Sequence, residues 1–125
     1  MARSAITSDK LPVPVGPFSL AVHSGTLLFV SGQVAQDPAT GKLIDGDAGR
    51  QTEQILSNLA VTLAAAGKDL ADVIRVGVYL TDMTDFAAMN EVYGRHFAEP
   101  YPARTTIAVM ALPLGAAVEM DAVVA

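Results

Sequence analysis

The chain has 125 residues, 51% of them hydrophobic, which predicts one folded domain over residues 1–125 and excludes a disordered chain. It has no cysteine, so disulfides, thiol nucleophiles and cysteine-based metal sites are excluded. The net charge is −5 and the eight basic residues are scattered, which argues against nucleic acid as a partner. No apolar run approaches the roughly 20 residues that span a bilayer, and the first residues lack the apolar centre of a signal peptide. We therefore expect a cytoplasmic protein without a membrane partner.

The first half of the chain predicts a hairpin followed by a helix. Runs rich in Val, Leu and Phe predict strands at Phe18–His23 and Thr26–Gln33, and Ser24-Gly25 forms the turn between them. A second turn leads into a short third strand at Lys42–Ile44. Leucine and isoleucine at helical spacing predict a helix over Gln51–Ala66.

The second half predicts a strand at Val73–Leu80, a helix over Phe86–Ala98, and strands at Arg104–Ala111 and Ala117–Val124. We expect the last two strands to form a hairpin across the turn at Pro113–Gly115. The order β-β-(β)-α-β-α-β-β predicts an α+β sandwich, in which both helices cover one face of a mixed sheet.

The other face of the predicted sheet is neither fully polar nor fully apolar. In Val73–Leu80, alternation puts Ile74 on one face with the valines and Val73 on the other with Arg75 and Tyr79. Only 17% of the residues are charged, which is low for a small monomer with a large surface to cover. Both features predict that the uncovered face is a subunit interface.

Few residues are suited to chemistry. His23 and His96 lie on separate elements without a second ligand at metal-binding spacing, so no metal site is expected. No phosphate-binding glycine pattern is present. Ser31-Gly32 at a strand end fits either a ligand contact or a position that needs small residues.

Arg104 and Glu119 are the strongest candidates. In a hairpin of the last two strands, Glu119 would lie opposite Thr106–Val109, so that both side chains could reach one pocket. A guanidinium binds a carboxylate through two hydrogen bonds, and a carboxyl in apolar surroundings can act as an acid or base. An ion pair that stabilises the hairpin is the alternative.

A set of motifs resembles the Rid family (RidA/YjgF-like reactive intermediate deaminases). The C-terminal signature is carried by Pro102-Ala103-Arg104-Thr105-Thr106-Ile107, Leu112-Pro113 and Val118-Glu119-Met120. Earlier segments agree in order and spacing: Gly16-Pro17-Phe18-Ser19, Ser31-Gly32-Gln33, Asp37-Pro38-Ala39-Thr40-Gly41 and Met89-Asn90-Glu91-Val92-Tyr93. The resemblance covers nearly the whole chain.

The resemblance implies a chorismate-mutase-like fold and a homotrimer with active sites in clefts between subunits. It implies hydrolysis of 2-imino acids or their enamine tautomers, such as 2-iminopropanoate and 2-iminobutanoate, to 2-keto acids and ammonia without a cofactor. Some relatives lack this activity, so a trimer that only binds small carboxylates, as a sensor or regulator, is the alternative. An endoribonuclease or translation inhibitor is disfavoured by the acidic charge.

The resemblance also implies residue roles. Arg104 holds the substrate carboxylate, and Glu119 positions or deprotonates the attacking water. Thr106 contacts the imino nitrogen through its backbone, Ser31 and Gly32 form the pocket wall, and Asn90 joins the substrate-binding set. Phe18 stands where tyrosine is common in the family, and Leu20 where many members have glutamine.

Overall fold

The computed structural model describes residues 2–125. They form a sheet of six strands and two helices, which confirms the predicted α+β class. The elements follow in chain order: β1 (Ser4–Ile6), β2 (Ala21–Ser24), β3 (Leu27–Gln33), α1 (Ala48–Ala65), β4 (Val73–Leu80), α2 (Phe86–His96), β5 (Ala103–Ala108) and β6 (Val118–Val124). The sheet order is β1-β2-β3-β6-β4-β5. Only β4 and β5 pair in parallel, so the sheet is mixed.

The predicted hairpin of the last two strands is wrong. β4 lies between β5 and β6, pairing with β5 in parallel and with β6 antiparallel. β5 ends at Ala108, and the chain then passes through a 3₁₀ turn at Pro113–Gly115 before β6 begins. Because β6 buries every second side chain from Val118 to Val124, it takes a central place between β3 and β4, whereas β5 forms an edge.

Three smaller boundaries also differ from prediction. β1 pairs with β2 and was not predicted, since three residues are too short for a periodic pattern. Lys42–Ile44 forms no strand and contributes one isolated bridge, Gln36 to Leu43. Helix α1 begins three residues before the predicted start, because the Asp47 side chain accepts a hydrogen bond from the backbone N–H of Arg50 at 3.0 Å.

Two bulges change which side chains face the core. In β4 the register shifts between Val73 and Arg75, so Val73 is buried and Ile74 is exposed, the reverse of the predicted alternation. In β3 it shifts between Val30 and Gln33. The second bulge turns Gln33 toward α1, where its amide donates to the Thr62 hydroxyl at 3.4 Å.

The core lies between the helices and one face of the sheet, and includes Leu56 and Leu63 of α1 and Met89 of α2. The opposite face carries Phe29 and Ile107, which are 43% and 45% exposed, in line with Glu119 and Asp121 of β6. No helix among residues 2–125 is long and apolar enough to cross a membrane.

Candidate functional site

A cavity of about 200 Å³ opens beside the β3 bulge, and we call it the bulge cavity. Phe18, Ser31, Gly32 and Glu119 all line it. The Ser31 hydroxyl donates to the Ser19 carbonyl at 2.6 Å, which ties the segment before β2 to the bulge. The Phe18 ring is 54% exposed. Four of the predicted site residues therefore meet at one place.

Among residues 2–125, Glu119 is the only ionisable side chain in the wall of this cavity. A side chain at Gly32 would place its Cβ 2.7 Å from Glu119 Oε2, so glycine is required for the carboxylate to lie against β3. Burial raises the pKa of Glu119 above the usual carboxyl value, and the negative charge of Asp121 raises it further. Glu119 forms no ion pair with any residue in the described part of the chain.

Arg104 lies on β5, where α2 packs over it. Its guanidinium carbon is 4.7 Å from the ring centre of Tyr93 and 5.6 Å from that of Phe86. Its Nη1 is 3.9 Å from the sulfur of Met89. We call Phe86, Met89 and Tyr93 the aromatic cage. No carboxylate among residues 2–125 pairs with Arg104, so its charge is stabilised by π-faces and is not neutralised.

Thr106 and Asn90 lie near the aromatic cage. Thr106 shares a face of β5 with Arg104, and its hydroxyl is buried without a hydrogen-bond partner in the described chain. Asn90 is partly buried on α2, next to Met89 in sequence. The Tyr93 hydroxyl is likewise buried without a partner.

The two groups of residues face opposite sides of the sheet. Arg104 is in register with Val76, which is fully buried under the helices, whereas Glu119 is in register with Tyr79, three positions along β4. Because side chains alternate, an odd separation puts Arg104 and Glu119 on different faces. The expectation that a hairpin brings both to one pocket is therefore wrong within one chain, and so is the alternative of an ion pair between them.

Sequence reasoning missed the aromatic cage as a functional feature. Helical spacing places Phe86, Met89 and Tyr93 in the predicted helix Phe86–Ala98 and assigns them no contact with Arg104. Two features of the sequence could have indicated it: the three residues lie at helical spacing on one face, and Arg104 has no acidic residue near it in sequence to pair with. The histidines lie apart: His23 is on β2, and His96 on α2 hydrogen-bonds Glu53 of α1 at 2.7 Å.

Comparison with curated proteins gives close relatives. A model of the family described as endoribonuclease L-PSP matches residues 8–125. A Myxococcus xanthus protein named DfrA is 49% identical over 125 residues, covering 98% of this chain and 95% of the relative. A 2-iminobutanoate/2-iminopropanoate deaminase of Capra hircus is 39% identical over 123 residues, covering 98% of this chain and 90% of the relative.

Solved structures agree with this relationship. RidA from an Antarctic Psychrobacter species matches with a TM-score of 0.92 and 42% identity, covering 97% of this chain and 98% of that one. Escherichia coli TdcF, crystallised with bound serine, matches with a TM-score of 0.90 and 34% identity, covering 97% of each chain. The chain belongs to the endoribonuclease L-PSP family, which is the Rid (RidA/YjgF-like) family that its motifs resemble.

Proposed function

We propose that this protein is a hydrolytic deaminase that converts reactive 2-imino acids, or their enamine tautomers, to 2-keto acids and ammonia without a cofactor. One observation carries the proposal: an unneutralised guanidinium and a carboxyl of raised pKa lie half-buried on opposite faces of one sheet. Related proteins named 2-iminobutanoate/2-iminopropanoate deaminase support the choice of reaction.

A second copy of the chain completes the proposed site. Arg104 and Glu119 of one subunit cannot meet, so the bulge cavity of one subunit faces the aromatic cage of its neighbour. The uncovered sheet face, with its exposed Phe29 and Ile107, supplies apolar surface for that contact. A closed homotrimer, as the family resemblance implies, repeats this contact three times and leaves no open edge.

The proposed chemistry needs binding, orientation and one acid–base group. Arg104 binds the substrate carboxylate through two parallel hydrogen bonds. Glu119 takes a proton from the water that attacks C2 and passes it to the imine nitrogen, which gives a carbinolamine. It then takes the proton of the carbinolamine hydroxyl and passes it to the amino nitrogen, so that the C–N bond breaks and ammonia and the 2-keto acid are released. Burial, and to a smaller extent the charge of Asp121, raise the pKa of Glu119, which makes it a stronger base than an ordinary carboxylate.

The remaining residues hold the substrate in place. Thr106 offers its backbone to the imino nitrogen, and Asn90 lies on the carboxylate side of the site. Gly32 and Ser31 form the wall behind the reacting carbon, where the absence of a side chain at Gly32 leaves room for Glu119. Because imines react readily with water, orientation and one acid–base group are sufficient for useful acceleration.

A site that only binds small carboxylates is the second candidate, and Phe18 favours it. The ring lies exposed at the cavity without the hydroxyl that a tyrosine would contribute there. An endoribonuclease is disfavoured by the net charge of −5. Free imines are short-lived in water, so an enzyme that hydrolyses them must be in the compartment where they form. We therefore place the protein in the cytoplasm with the pyridoxal-phosphate enzymes and oxidases that release imines, where it limits metabolite damage.

The test generates 2-iminopropanoate and 2-iminobutanoate enzymatically and measures ammonia release above the spontaneous rate. We expect acceleration by the wild type and a loss of about 10²- to 10⁴-fold in kcat/KM in both Arg104→Ala and Glu119→Gln. Arg95→Ala and Glu91→Gln, which remove exposed charges from α2, are matched controls and retain activity.

Two results contradict the proposal. If the wild type leaves the spontaneous rate unchanged but binds 2-keto acids in calorimetry, the protein is a binding module. If RNA is cleaved and the cleavage is lost in Arg104→Ala but not in Arg95→Ala, the site serves a nuclease.

A further inference from the structure

Leu114 occupies an unfavourable position for a leucine. It is the one non-glycine residue with positive φ in the described chain, at φ 61° and ψ 13°. Its side chain is also 57% exposed. Glycine or asparagine adopts this left-handed conformation more readily, and a polar residue suits the exposure better. Strain at an exposed apolar residue points to a functional requirement for its side chain.

Leu114 forms part of the wall of the bulge cavity. The rest of the wall is mostly apolar, with contributions from Leu11, Phe18, Leu20 and Val34. The volume of about 200 Å³ exceeds what the methyl group of an alanine-derived imine occupies. A cavity of about 150 Å³ is large enough to bind benzene, so this one can hold an isobutyl or benzyl group.

The polar side chains of the wall offer little to a polar ligand. Apart from Glu119, each of them already donates a hydrogen bond inside the chain, at distances of 2.6 to 3.4 Å: Ser31 to Ser19, Gln33 to Thr62, Gln36 to Gly41 and Asn58 to Gln36. A polar substrate side chain entering the cavity would lose its hydration and find few polar groups in a mostly apolar wall. An apolar side chain would gain by leaving water.

We propose that the bulge cavity receives the side chain of the substrate, and that Leu114 and Leu20 make the site selective for 2-imino acids with branched or extended apolar side chains. This inference rests on the proposed deaminase function. The carboxylate lies on the neighbour's Arg104 and C2 lies beside Glu119, so the substituent on C2 points into the cavity. The reaction is R–C(=NH)–COO⁻ + H₂O → R–C(=O)–COO⁻ + NH₃, and only R differs between substrates.

Imines of leucine and asparagine separate polarity from size, because their side chains have nearly the same shape. An amino-acid oxidase generates both, together with the alanine imine, and acceleration over the spontaneous rate is measured for each. We expect kcat/KM for the leucine imine to be at least about tenfold higher than for either of the others. Equal values for the leucine and asparagine imines would overturn the inference.

Leu114→Asn tests the residue directly. Asparagine tolerates the left-handed backbone, so this variant folds, and its side chain matches leucine in shape. We expect the leucine-to-asparagine ratio to fall by about fourfold, as for one lost methylene-sized contact, and Leu20→Gln to act in the same direction. Met83→Gln, an exposed position outside the cavity, leaves the ratio unchanged. An unchanged ratio in both cavity variants would contradict the assignment.

Product binding distinguishes failure of the inference from failure of the proposed function. If no imine is hydrolysed faster than its spontaneous rate, the deaminase proposal fails, and calorimetry with 4-methyl-2-oxopentanoate and pyruvate still tests the cavity. Binding of the branched keto acid at least about tenfold more tightly than pyruvate supports the inference. Equal affinities, or no binding of either, overturn it.

Discussion

The bulge cavity and the aromatic cage differ in how each accommodates a partly buried ionisable side chain. Each holds one ionisable side chain partly out of water without an opposite charge. Glu119 responds with a raised pKa, because burial and Asp121 both favour its neutral form. The Arg104 guanidinium instead lies against the rings of Tyr93 and Phe86, whose π-faces stabilise its charge.

The difference shows why neither region is a complete site. A carboxyl group can become neutral, so it can be buried without an opposite charge and can act as a base. A guanidinium stays positively charged, so it attracts an anion whatever the pH. Placed on opposite faces of one sheet, they cannot neutralise each other within a chain. In the proposed function, assembly of two chains unites a binding group and a proton acceptor that folding keeps apart.

Mixed oligomers test this division most directly. We expect Arg104→Ala and Glu119→Gln chains each to be inactive alone, whereas a site formed from Glu119 of the first and Arg104 of the second would keep both groups. Random mixing in equal amounts restores about one quarter of the wild-type sites, because each site needs a particular chain on each side. The measurement is imine hydrolysis after the two variants are unfolded and refolded together.

The matched control mixes Arg104→Ala with wild type, which adds no sites beyond those that wild-type chains provide. If the mixture of the two variants is no more active than either alone, Arg104 and Glu119 do not act across a subunit boundary.

Gly32→Ala perturbs the bulge cavity and spares the aromatic cage. The added methyl would lie 2.7 Å from Glu119 Oε2 and 3.0 Å from its Cδ, so the carboxyl group must move. We expect kcat to fall roughly tenfold, because small displacements of a reacting group are costly. Gly94→Ala on α2, where no atom lies within 4 Å of the new methyl, is the control and stabilises the fold by about 0.5–1 kcal/mol. Equal activity of both variants would show that Glu119 need not lie against β3.

The pH dependence of the reaction tests the electrostatics of the bulge cavity. Glu119 acts in its ionised form, so kcat/KM falls as the pH drops through its raised pKa. Asp121→Asn removes a negative charge from the same strand face, which lowers the pKa of Glu119 and moves the acid limb to lower pH. Arg75, 3.9 Å from Asp121, and Tyr79, opposite Glu119, are the other titratable groups on this face of the neighbouring strand.

Asp45→Asn, an exposed acid in the loop before α1, is the control and leaves the limb in place. A limb that does not move in Asp121→Asn would assign the titration to another group.

The sequence predicts the core elements well because their side chains repeat with a fixed period. Alternation identifies β3, β4 and β6, and helical spacing identifies α1 and α2. Side-chain periodicity cannot predict where a bulge occurs. Val73 and Ile74 are both apolar, so the sequence allows either to be buried, and the pairing of β4 with β6 determines that Val73 is.

The pairing of the last strands is the larger error of the sequence-based prediction. β5 and β6 are consecutive and separated by a turn, which favours a hairpin locally. The long-range competition for β4 reverses that choice. The motifs assign Phe18, Ser31, Gly32 and Glu119 to one site, and all four line the bulge cavity. The face of Arg104 depends on the non-local pairing with Val76 and could not be read from its neighbours in sequence.

Tyr93→Phe has the smallest expected effect, a change in stability, and alters only the aromatic cage. The ring stays over the guanidinium, so carboxylate binding is retained. The lost hydroxyl is buried without a partner in the described chain, and such a group costs about 1–3 kcal/mol. Urea unfolding of the variant should therefore give a free energy about 1 kcal/mol higher than that of the wild type. A free energy of unfolding that falls instead would mean that the hydroxyl has a hydrogen-bond partner, such as an ordered water, and that the cage stabilises the fold through a polar contact as well as through its rings.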